Sequence, residues 1–241
     1  MNLGPLGASV DSLIKRSYTK LPSYSDARRA ILRYPKYQLP IIGQDLLKRD
    51  LVRNVSWQIF NLEFVDGLAA HITERLSHPN ALILDAGAGN GLLAFWLKEH
   101  GLNVVAVDTR EDSRTEQLSL PDWVLDLDVK EALEHFQPEI VICSWMPWLE
   151  WWQLWFETTS RSTREYILIG KERATGSLNW WSGEHARKGL WVPELLEQLT
   201  DVSLSVADFY SYERLYGRTK WIDQGREDRS IVVSFTKRSL E

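Results

Sequence analysis

Cysteine and long apolar runs are scarce in this sequence. Its single cysteine, Cys143, excludes an internal disulfide and is typical of a reducing compartment. No run approaches the roughly 20 apolar residues that a membrane span requires. The N-terminus also lacks the charged start and apolar stretch of a secretory signal. We therefore expect a soluble, cytoplasmic protein without a membrane partner.

An excess of positive charge and a metal-ligand pattern are also missing. The net charge is −5, so the chain carries no overall electrostatic footprint for nucleic acid, and we expect no nucleic-acid partner. The five histidines show no metal-ligand spacing, and no metal site is predicted. The oligomeric state is left open by the sequence.

The first part of the chain has helical patterns. Residues 23–35 offer a serine cap, a helical run and a stop at Pro35. Residues 44–64 place apolar side chains, among them Phe60, near helical spacing, and residues 65–80 predict another helix. We expect an N-terminal helical cap over residues 1–65 and a second domain over residues 66–241.

From residue 81 onward, short apolar runs alternate with helical runs. The alternation predicts an open, mostly parallel α/β sheet with helices on both faces. VPELLEQLT (192–200) is interpreted as a helix, and the extended runs 203–216 and 229–237 as a terminal antiparallel hairpin. The strand candidates are ALILD (81–85), NVVAVD (103–108), WVLDL (123–127), EIVICS (139–144) and YILIG (166–170).

Three glycines follow the first of these strands. That strand ends at Asp85, and Gly87, Gly89 and Gly91 then form a tight turn into a helix. Glycine tolerates positive φ and lets a ligand approach the backbone closely. The turn lies at the carboxyl end of a strand, where open α/β sheets bind ligands. Asp108 ends the next strand, where a carboxylate can accept hydrogen bonds from ribose hydroxyls.

Two classes of cofactor bind glycine turns of this kind. Dinucleotide enzymes use G-x-G-x-x-G, but position 92 is Leu, so the third glycine is out of register. An aspartate at position 85 would repel a pyrophosphate, whereas it can bind a cationic or amino-bearing ligand. The combination resembles motif I of the class I S-adenosylmethionine-dependent methyltransferases, and the resemblance spans roughly residues 66 to 236.

The resemblance implies a fold and a cofactor. The fold is a Rossmann-like, mostly parallel seven-stranded sheet with an antiparallel terminal hairpin, and the cofactor is S-adenosylmethionine. Asp108 would hold the ribose, and Asp128, or alternatively Asp126, the adenine amino group; Asp128 also fits a helix N-cap. The implied cofactor-binding residues are Asp85, Gly87, Ala88, Gly89, Gly91, Asp108, Thr109, Asp126, Asp128 and Ser144. The sequence departs from the family at 109–122, where we expect the usual helix to be short or missing.

Five tryptophans lie in SWMPWLEWWQLW (144–155). The segment CSWMPW (143–148), where this stretch begins, is similar to the loop that faces the transferable methyl group in this family. Trp145 is interpreted as a pocket wall, while Trp148, Trp152 and Trp155 share one helical face and are interpreted mainly as core. The stretch has no Lys or Arg, which disfavours a membrane anchor. An aromatic pocket favours a planar or cationic small molecule.

The reaction implied by the resemblance is transfer of a methyl group to an O, N, S or C nucleophile of a small-molecule substrate. Trp145, Glu150 and His185 are the candidate catalytic residues, with Glu184 a further candidate base. The alternatives are a protein methyltransferase and a non-catalytic cofactor-binding or interaction module. A nicotinamide-dependent reductase is disfavoured by the glycine register.

Overall fold

The computed structural model describes residues 19–33, 58–109, 121–147, 150–171, 175–176, 190–205 and 230–238. The helices of these residues are α1 (Tyr24–Arg33), α2 (Leu62–Arg75), α3 (Leu92–Glu99), α4 (Val129–Phe136), α5 (Trp152–Thr158) and α6 (Glu197–Val202). The strands are β1 (Gln58–Ile59), β2 (Ile83–Ala86), β3 (Val104–Asp108), β4 (Val124–Asp126), β5 (Ile140–Ser144), β6 (Glu165–Gly170), β7 (Trp191–Leu195), β8 (Leu204–Ser205) and β9 (Ile231–Lys237).

Seven strands form one sheet in the order β4-β3-β2-β5-β6-β9-β7. The first five strands of that order run parallel to one another, whereas β9 is antiparallel to both of its neighbours. The predicted mostly parallel, seven-stranded sheet with an antiparallel end is confirmed. A separate two-stranded antiparallel sheet joins β1 to β8.

The central parallel strands β2, β5 and β6 are buried on both faces, which explains their continuous apolar runs, whereas the edge strand β4 is exposed at its last two residues. On one face, α2, α3 and α6 pack against alternate strand residues such as Ile83 and Ile142. On the other face, α4 and α5 pack against the intervening residues, such as Leu84 and Val141. Each face therefore has its own core, and a fully buried strand needs no polar alternation.

Polar caps set the starts of three helices. Ser23 Oγ accepts the backbone N–H of Asp26 at 3.2 Å, so the predicted serine cap is confirmed. Asn61 accepts the N–H of Phe64 at 3.0 Å and starts α2. Asp128 caps α4. Such caps satisfy backbone donors that have no partner within the helix.

The predicted partner of the last strand was wrong. β9 pairs with β6 and with β7, whereas Leu204–Ser205 pairs with β1. The stretch 192–200 is also not a single helix, because β7 occupies its first part and α6 begins only at Glu197. Pro193 lies in β7 at the edge of the sheet, where a residue without an N–H is tolerated.

The predicted helix over 44–64 was wrong at residues 58–61 and right at 62–64, where the structure describes it. Gln58–Ile59 is a strand, and α2 begins at Leu62 because Asn61 caps it. Helix α2 runs across the expected boundary between residues 65 and 66, so the division into a cap and a second domain stays a prediction. No helix among the described residues has the length and apolarity to cross a membrane.

Candidate functional site

The glycine turn after β2 lies where the order of the strands changes direction. From β2 the chain adds β3 and β4 on one side, and it then returns to add β5 and β6 on the other side. In open α/β sheets, such a switch point leaves a crevice beyond the carboxyl ends of the strands, where ligands bind. The motif therefore occupies the position that the topology favours for a ligand.

The three glycines of the turn all have positive φ, but their surroundings differ. A Cβ at Gly87 would lie 2.8 Å from Trp152 Cζ3, and a Cβ at Gly91 would lie 2.5 Å from Val124 Cγ2. At Gly89, with φ of +56°, a Cβ would meet no described atom within 4 Å beyond the adjacent residues. Two glycines are thus required by internal packing, whereas the backbone at Gly89 faces open space.

Asp85, in β2, is a buried carboxylate without a partner. The residue is 1% exposed, and neither carboxylate oxygen has a hydrogen-bond partner among the described residues. Burial, and then the charge of Asp108, raise the pKa of Asp85 to about 7; the backbone N–H of Ala94, which does not reach hydrogen-bond geometry with the carboxylate, partly opposes the shift. A buried ionisable group without a partner is costly, so this carboxylate marks a candidate site for a cation or a hydrogen-bond donor.

Asp108, at the end of β3, is fastened to the glycine turn. Its Oδ2 accepts the backbone N–H of Gly89 at 2.6 Å. The turn is held to β3 a second time by the N–H of Ala88, which donates to Val107 O at 2.9 Å. Thr109 follows Asp108 and is half-buried. These bonds bring three of the predicted binding residues, Ala88, Gly89 and Asp108, together at one end of the sheet.

The next strand end carries Asp126 and Asp128. Asp126 is exposed and pairs in register with Asp108. Asp128 Oδ1 accepts the backbone N–H groups of Lys130 at 2.8 Å and Glu131 at 3.3 Å. The N-cap role of Asp128 is therefore present. A contact between either aspartate and an adenine amino group stays a prediction.

Trp145 has a backbone conformation that is rare for its residue type. It follows Ser144, the half-buried last residue of β5, and its φ is +63°. Its backbone N–H donates to Ile169 O at 2.7 Å, and its indole Nε1–H donates to Gln58 Oε1 at 3.1 Å. A positive φ of this kind costs on the order of 1–3 kcal/mol and recurs at functional sites. The two hydrogen bonds stabilise the residue at the carboxyl edge of the sheet.

Gln58 is a site-bordering residue that the sequence reasoning missed. Its Oε1 also accepts Ser230 Oγ–H at 2.7 Å, and its Nε2 donates to Ser203 Oγ at 2.8 Å. Because an indole N–H can only donate, the orientation of the amide is fixed by Trp145. These partners lie 87, 145 and 172 positions away, so no local pattern could have found the residue.

The tryptophan-rich stretch divides into exposed and packed residues. Trp151 is 52% exposed. Trp152 and Trp155 are half-buried, pack against the core on the α5 face and stack at 6.5 Å between ring centroids. The core interpretation therefore holds for Trp152 and Trp155, and Trp148 lies outside the described residues.

Cys143 and the candidate base Glu150 have ordinary surroundings for a core thiol and a surface carboxylate. Cys143 is buried in β5, and burial raises the pKa of its thiol, as expected for a core cysteine. Glu150 is exposed, and its N–H donates to Pro147 O at 3.2 Å. His185 lies outside the described residues, as do Glu184, Trp180 and Trp181.

The strand order decides the fold. The parallel strands follow the Rossmann sequence of neighbours around β2, and the last strand of the chain is inserted antiparallel beside β6. The chain has a Rossmann-like fold, with the mostly parallel seven-stranded sheet and antiparallel last strand that the resemblance to class I methyltransferases implies.

No family model matches the chain, and no curated protein matches it. Solved structures that resemble it include magnesium protoporphyrin IX methyltransferase from Synechocystis PCC 6803 with bound S-adenosylmethionine, at 16% identity and a TM-score of 0.44, covering 72% of this chain and 78% of that one. Precorrin-6y C5,15-methyltransferase from Geobacter metallireducens GS-15 has 11% identity and a TM-score of 0.45, with 74% and 91% covered. The 23S rRNA methyltransferase ErmE has 17% identity and a TM-score of 0.39, with 72% and 68% covered.

Proposed function

We propose that the protein is an S-adenosylmethionine-dependent methyltransferase that acts on a small aromatic or cationic molecule. The observation that carries the proposal is the buried, unpartnered carboxylate of Asp85 beneath a turn that is open at Gly89. A positively charged nucleoside fits both features. Its cationic end offsets the charge of the carboxylate, and the missing Cβ at Gly89 leaves room for it to approach the backbone.

The same features disfavour a nicotinamide dinucleotide. A pyrophosphate would lie near two carboxylates, Asp85 and Asp108, and like charges in a partly buried site repel strongly. The dinucleotide motif would have its third glycine at position 92, whereas this chain has Leu92, the first residue of α3, at that position. The acidic turn therefore fits a cationic cofactor better than an anionic one.

When bound, S-adenosylmethionine supplies a methyl group attached to a positively charged sulfur. In our proposal Asp85 attracts the cationic end, and Asp108, oriented by Gly89, accepts hydrogen bonds from the ribose hydroxyls. Trp145, held by Gln58, forms a wall that aligns the acceptor and excludes water from the reacting atoms.

The acceptor class rests on the aromatic composition of the site. Trp145 begins the tryptophan-rich stretch at the carboxyl edge of β5, and aromatic rings bind planar or cationic molecules by stacking and cation–π attraction. A hydroxyl acceptor would need a base, for which we propose Glu150 or His185; an amine acceptor needs none. We propose no nucleic-acid substrate, and a protein acceptor is the first alternative to test.

Calorimetric titration separates the cofactor classes. We expect S-adenosylhomocysteine to bind the purified protein with micromolar or tighter affinity, and we expect no heat from NADH. Binding of NADH alone would refute the proposal, because the site would then accept the pyrophosphate that its carboxylates should repel.

Paired glycine variants test the location of the site. Gly89 and Gly101 both have positive φ, and a Cβ added at either would meet no described atom within 4 Å, but Gly101 lies at the far end of α3. We expect Gly89→Val to abolish binding of S-adenosylhomocysteine and Gly101→Val to preserve it. Similar thermal stability of the two variants would show that backbone strain is matched.

Turnover is tested with tritium-labelled S-adenosylmethionine. We expect label to enter molecules below about 1 kDa in a cell extract and not its protein or RNA fraction, and Gly89→Val to abolish the transfer. Transfer to protein would change the acceptor class, whereas binding without any transfer would favour the cofactor-binding module.

A further inference from the structure

Trp152 contacts the glycine turn from the face of the sheet that is opposite to α3. Its Cζ3 and Cη2 atoms lie 2.8 and 3.1 Å from the position that a Cβ of Gly87 would occupy. Trp152 is the first residue of α5, which packs on the sheet face opposite α3. The edge of its six-membered ring therefore lies against the backbone of the turn, and glycine at position 87 makes this contact possible.

The ring of Trp152 is only half-buried at this place. The side chain stacks with Trp155, with an interplanar angle of 17°, and packs against the core on the α5 face. The residue as a whole keeps accessible surface, although the edge of its ring contacts the turn. A partly exposed indole therefore lies next to Gly87, where the resemblance places the methionine side of the cofactor.

The turn combines this aromatic surface with negative charge. Asp85 lies beneath it without a partner, and Asp108 is hydrogen-bonded to its backbone. Carboxylates and the face of a tryptophan ring both attract cations, and tryptophan is the strongest cation–π partner among the side chains. The groups around the turn therefore agree on the sign of the ligand charge.

We propose that Trp152 is a cofactor-binding residue that favours the positively charged sulfonium of S-adenosylmethionine over the neutral thioether of S-adenosylhomocysteine. The inference rests on the proposed function, since it requires a sulfonium ligand. In methyl transfer, a lone pair of the acceptor forms a bond to the methyl carbon while the bond between that carbon and sulfur breaks. Both electrons of the broken bond stay on sulfur, which becomes neutral. The attraction to Trp152 is then lost, and the product is released more readily.

Calorimetry with both ligands tests the role of Trp152. In Trp152→Leu we expect the Kd of S-adenosylmethionine to rise about 5- to 30-fold, the range of a desolvated cation–π contact. The Kd of S-adenosylhomocysteine should change less than about 3-fold, because the neutral sulfur gains little from the ring. Trp152→Phe should lie between the wild type and Trp152→Leu.

Trp155→Leu is the matched control. Trp155 lies on the same helix, in the same aromatic stack, and packs against the same core as Trp152. The contact with Gly87, however, belongs to Trp152. We expect Trp155→Leu to leave the ratio of the two dissociation constants unchanged, even if it lowers the melting temperature.

A spectroscopic measurement keeps the test independent of folding of the leucine variant. In protein labelled with 5-fluorotryptophan, Trp152→Phe assigns the ¹⁹F resonance of Trp152. We expect S-adenosylmethionine to shift this resonance, and S-adenosylhomocysteine to shift it less.

The outcomes separate the inference from the proposed function. An equal loss of affinity for both ligands in Trp152→Leu, tighter binding of both, or a ¹⁹F resonance insensitive to either ligand would overturn the role of Trp152 alone. Failure of the wild-type protein to bind either ligand would overturn the proposed function, and this inference with it.

Discussion

At the scale of single residues, Asp85 lowers the stability of the ligand-free protein because its carboxylate is buried. Its pKa rises from 3.8 to about 7 on folding. Between these values the unfolded chain has released the proton that the folded protein still holds. The stability therefore falls as the pH rises from about 4 to about 7 and then stays at the lower level.

Asp85→Asn should stabilise the ligand-free protein, because a neutral amide avoids the burial of a charge. We expect a gain in unfolding free energy of up to about 4 kcal/mol at pH 8, the equivalent of the pKa shift, and a smaller gain at pH 5. Urea denaturation at both pH values measures it. Asp122→Asn, at an exposed carboxylate, should change little at either pH. Equal effects of the two substitutions at pH 8 would contradict this account of Asp85.

The same carboxylate makes binding of a cationic ligand depend on pH. A cation favours ionised Asp85, so the affinity for S-adenosylmethionine should fall as the pH drops below about 7 and Asp85 takes up its proton. Asp108, the neighbouring acidic group, raises the pKa of Asp85 in the free protein. Calorimetry between pH 5.5 and 8, in buffers of different ionisation enthalpy, should detect proton release on binding. A flat profile that matches Asp85→Asn would exclude Asp85 from the cation site.

At the scale of elements, the glycine turn has two separate requirements. Gly87 and Gly91 are glycines because Trp152 and Val124 occupy the space of a side chain, whereas Gly89 leaves space for something else. The spacing G-x-G-x-G alone does not distinguish these roles. It predicted a turn that approaches a ligand, and only one of the three positions has the open surroundings that such an approach requires.

Asp128 combines a capping role with a proposed ligand contact, and two substitutions separate them. Serine is also a good N-cap, so Asp128→Ser should retain stability to within about 0.5 kcal/mol, while Asp128→Ala should lose about 1 kcal/mol. Both described cap bonds use Oδ1. If the carboxylate also accepts the adenine amino group, both variants should bind S-adenosylhomocysteine about 10-fold more weakly.

Thermal denaturation and calorimetry on the same samples decide between the roles of Asp128. Asp126→Ser provides the comparison, because Asp126 ends β4 two residues earlier and is the alternative adenine contact. Unchanged binding in Asp128→Ser combined with weaker binding in Asp126→Ser would transfer the ligand role to Asp126.

At the scale of the whole molecule, Gln58 joins segments that are distant in sequence. Its amide binds Trp145 after β5, Ser203 before β8 and Ser230 before β9. The residue is 1% exposed, so its hydrogen bonds form in surroundings where an unsatisfied group is costly. The conformation of Trp145 therefore depends on its contact with Gln58, which is distant in sequence, rather than on its own neighbours in sequence.

Gln58→Met should retain the volume of the side chain and remove its hydrogen bonds. We expect a loss of about 2–4 kcal/mol in unfolding free energy, since the indole N–H and two hydroxyls lose a buried partner. The indole resonance of Trp145, assigned by Trp145→Phe in a ¹⁵N-labelled sample, should also shift and exchange faster with solvent.

Ser205→Ala is the control for Gln58→Met. Ser205 is buried in the same two-stranded sheet as Gln58, but its hydroxyl has no hydrogen-bond partner among the described residues. Its removal should be neutral or slightly stabilising. A Trp145 resonance that stays unchanged in Gln58→Met would show that Gln58 does not hold the indole.

The sequence by itself determined the parallel core and the position of the glycine turn that forms the candidate site. Buried parallel strands are short apolar runs, and the turn that follows the first of them needs glycine whatever the rest of the chain does, so both are visible locally. The sequence did not predict β7, because WVPEL lies at the edge of the sheet and lacks the alternation of buried and exposed residues that marks a strand. It did not predict β1, because that strand has only two residues.

Only the tertiary structure decided which groups meet. The missing partner of Asp85, the contact of Trp152 with Gly87 and the bond from Trp145 to Gln58 all join residues on different elements. Local patterns record the preferences of a segment, whereas burial, charge coupling and hydrogen-bond satisfaction depend on what the fold brings alongside it. For that reason the sequence indicated the candidate site, and the packing of the two helical layers on the sheet decided which charged and aromatic groups surround it.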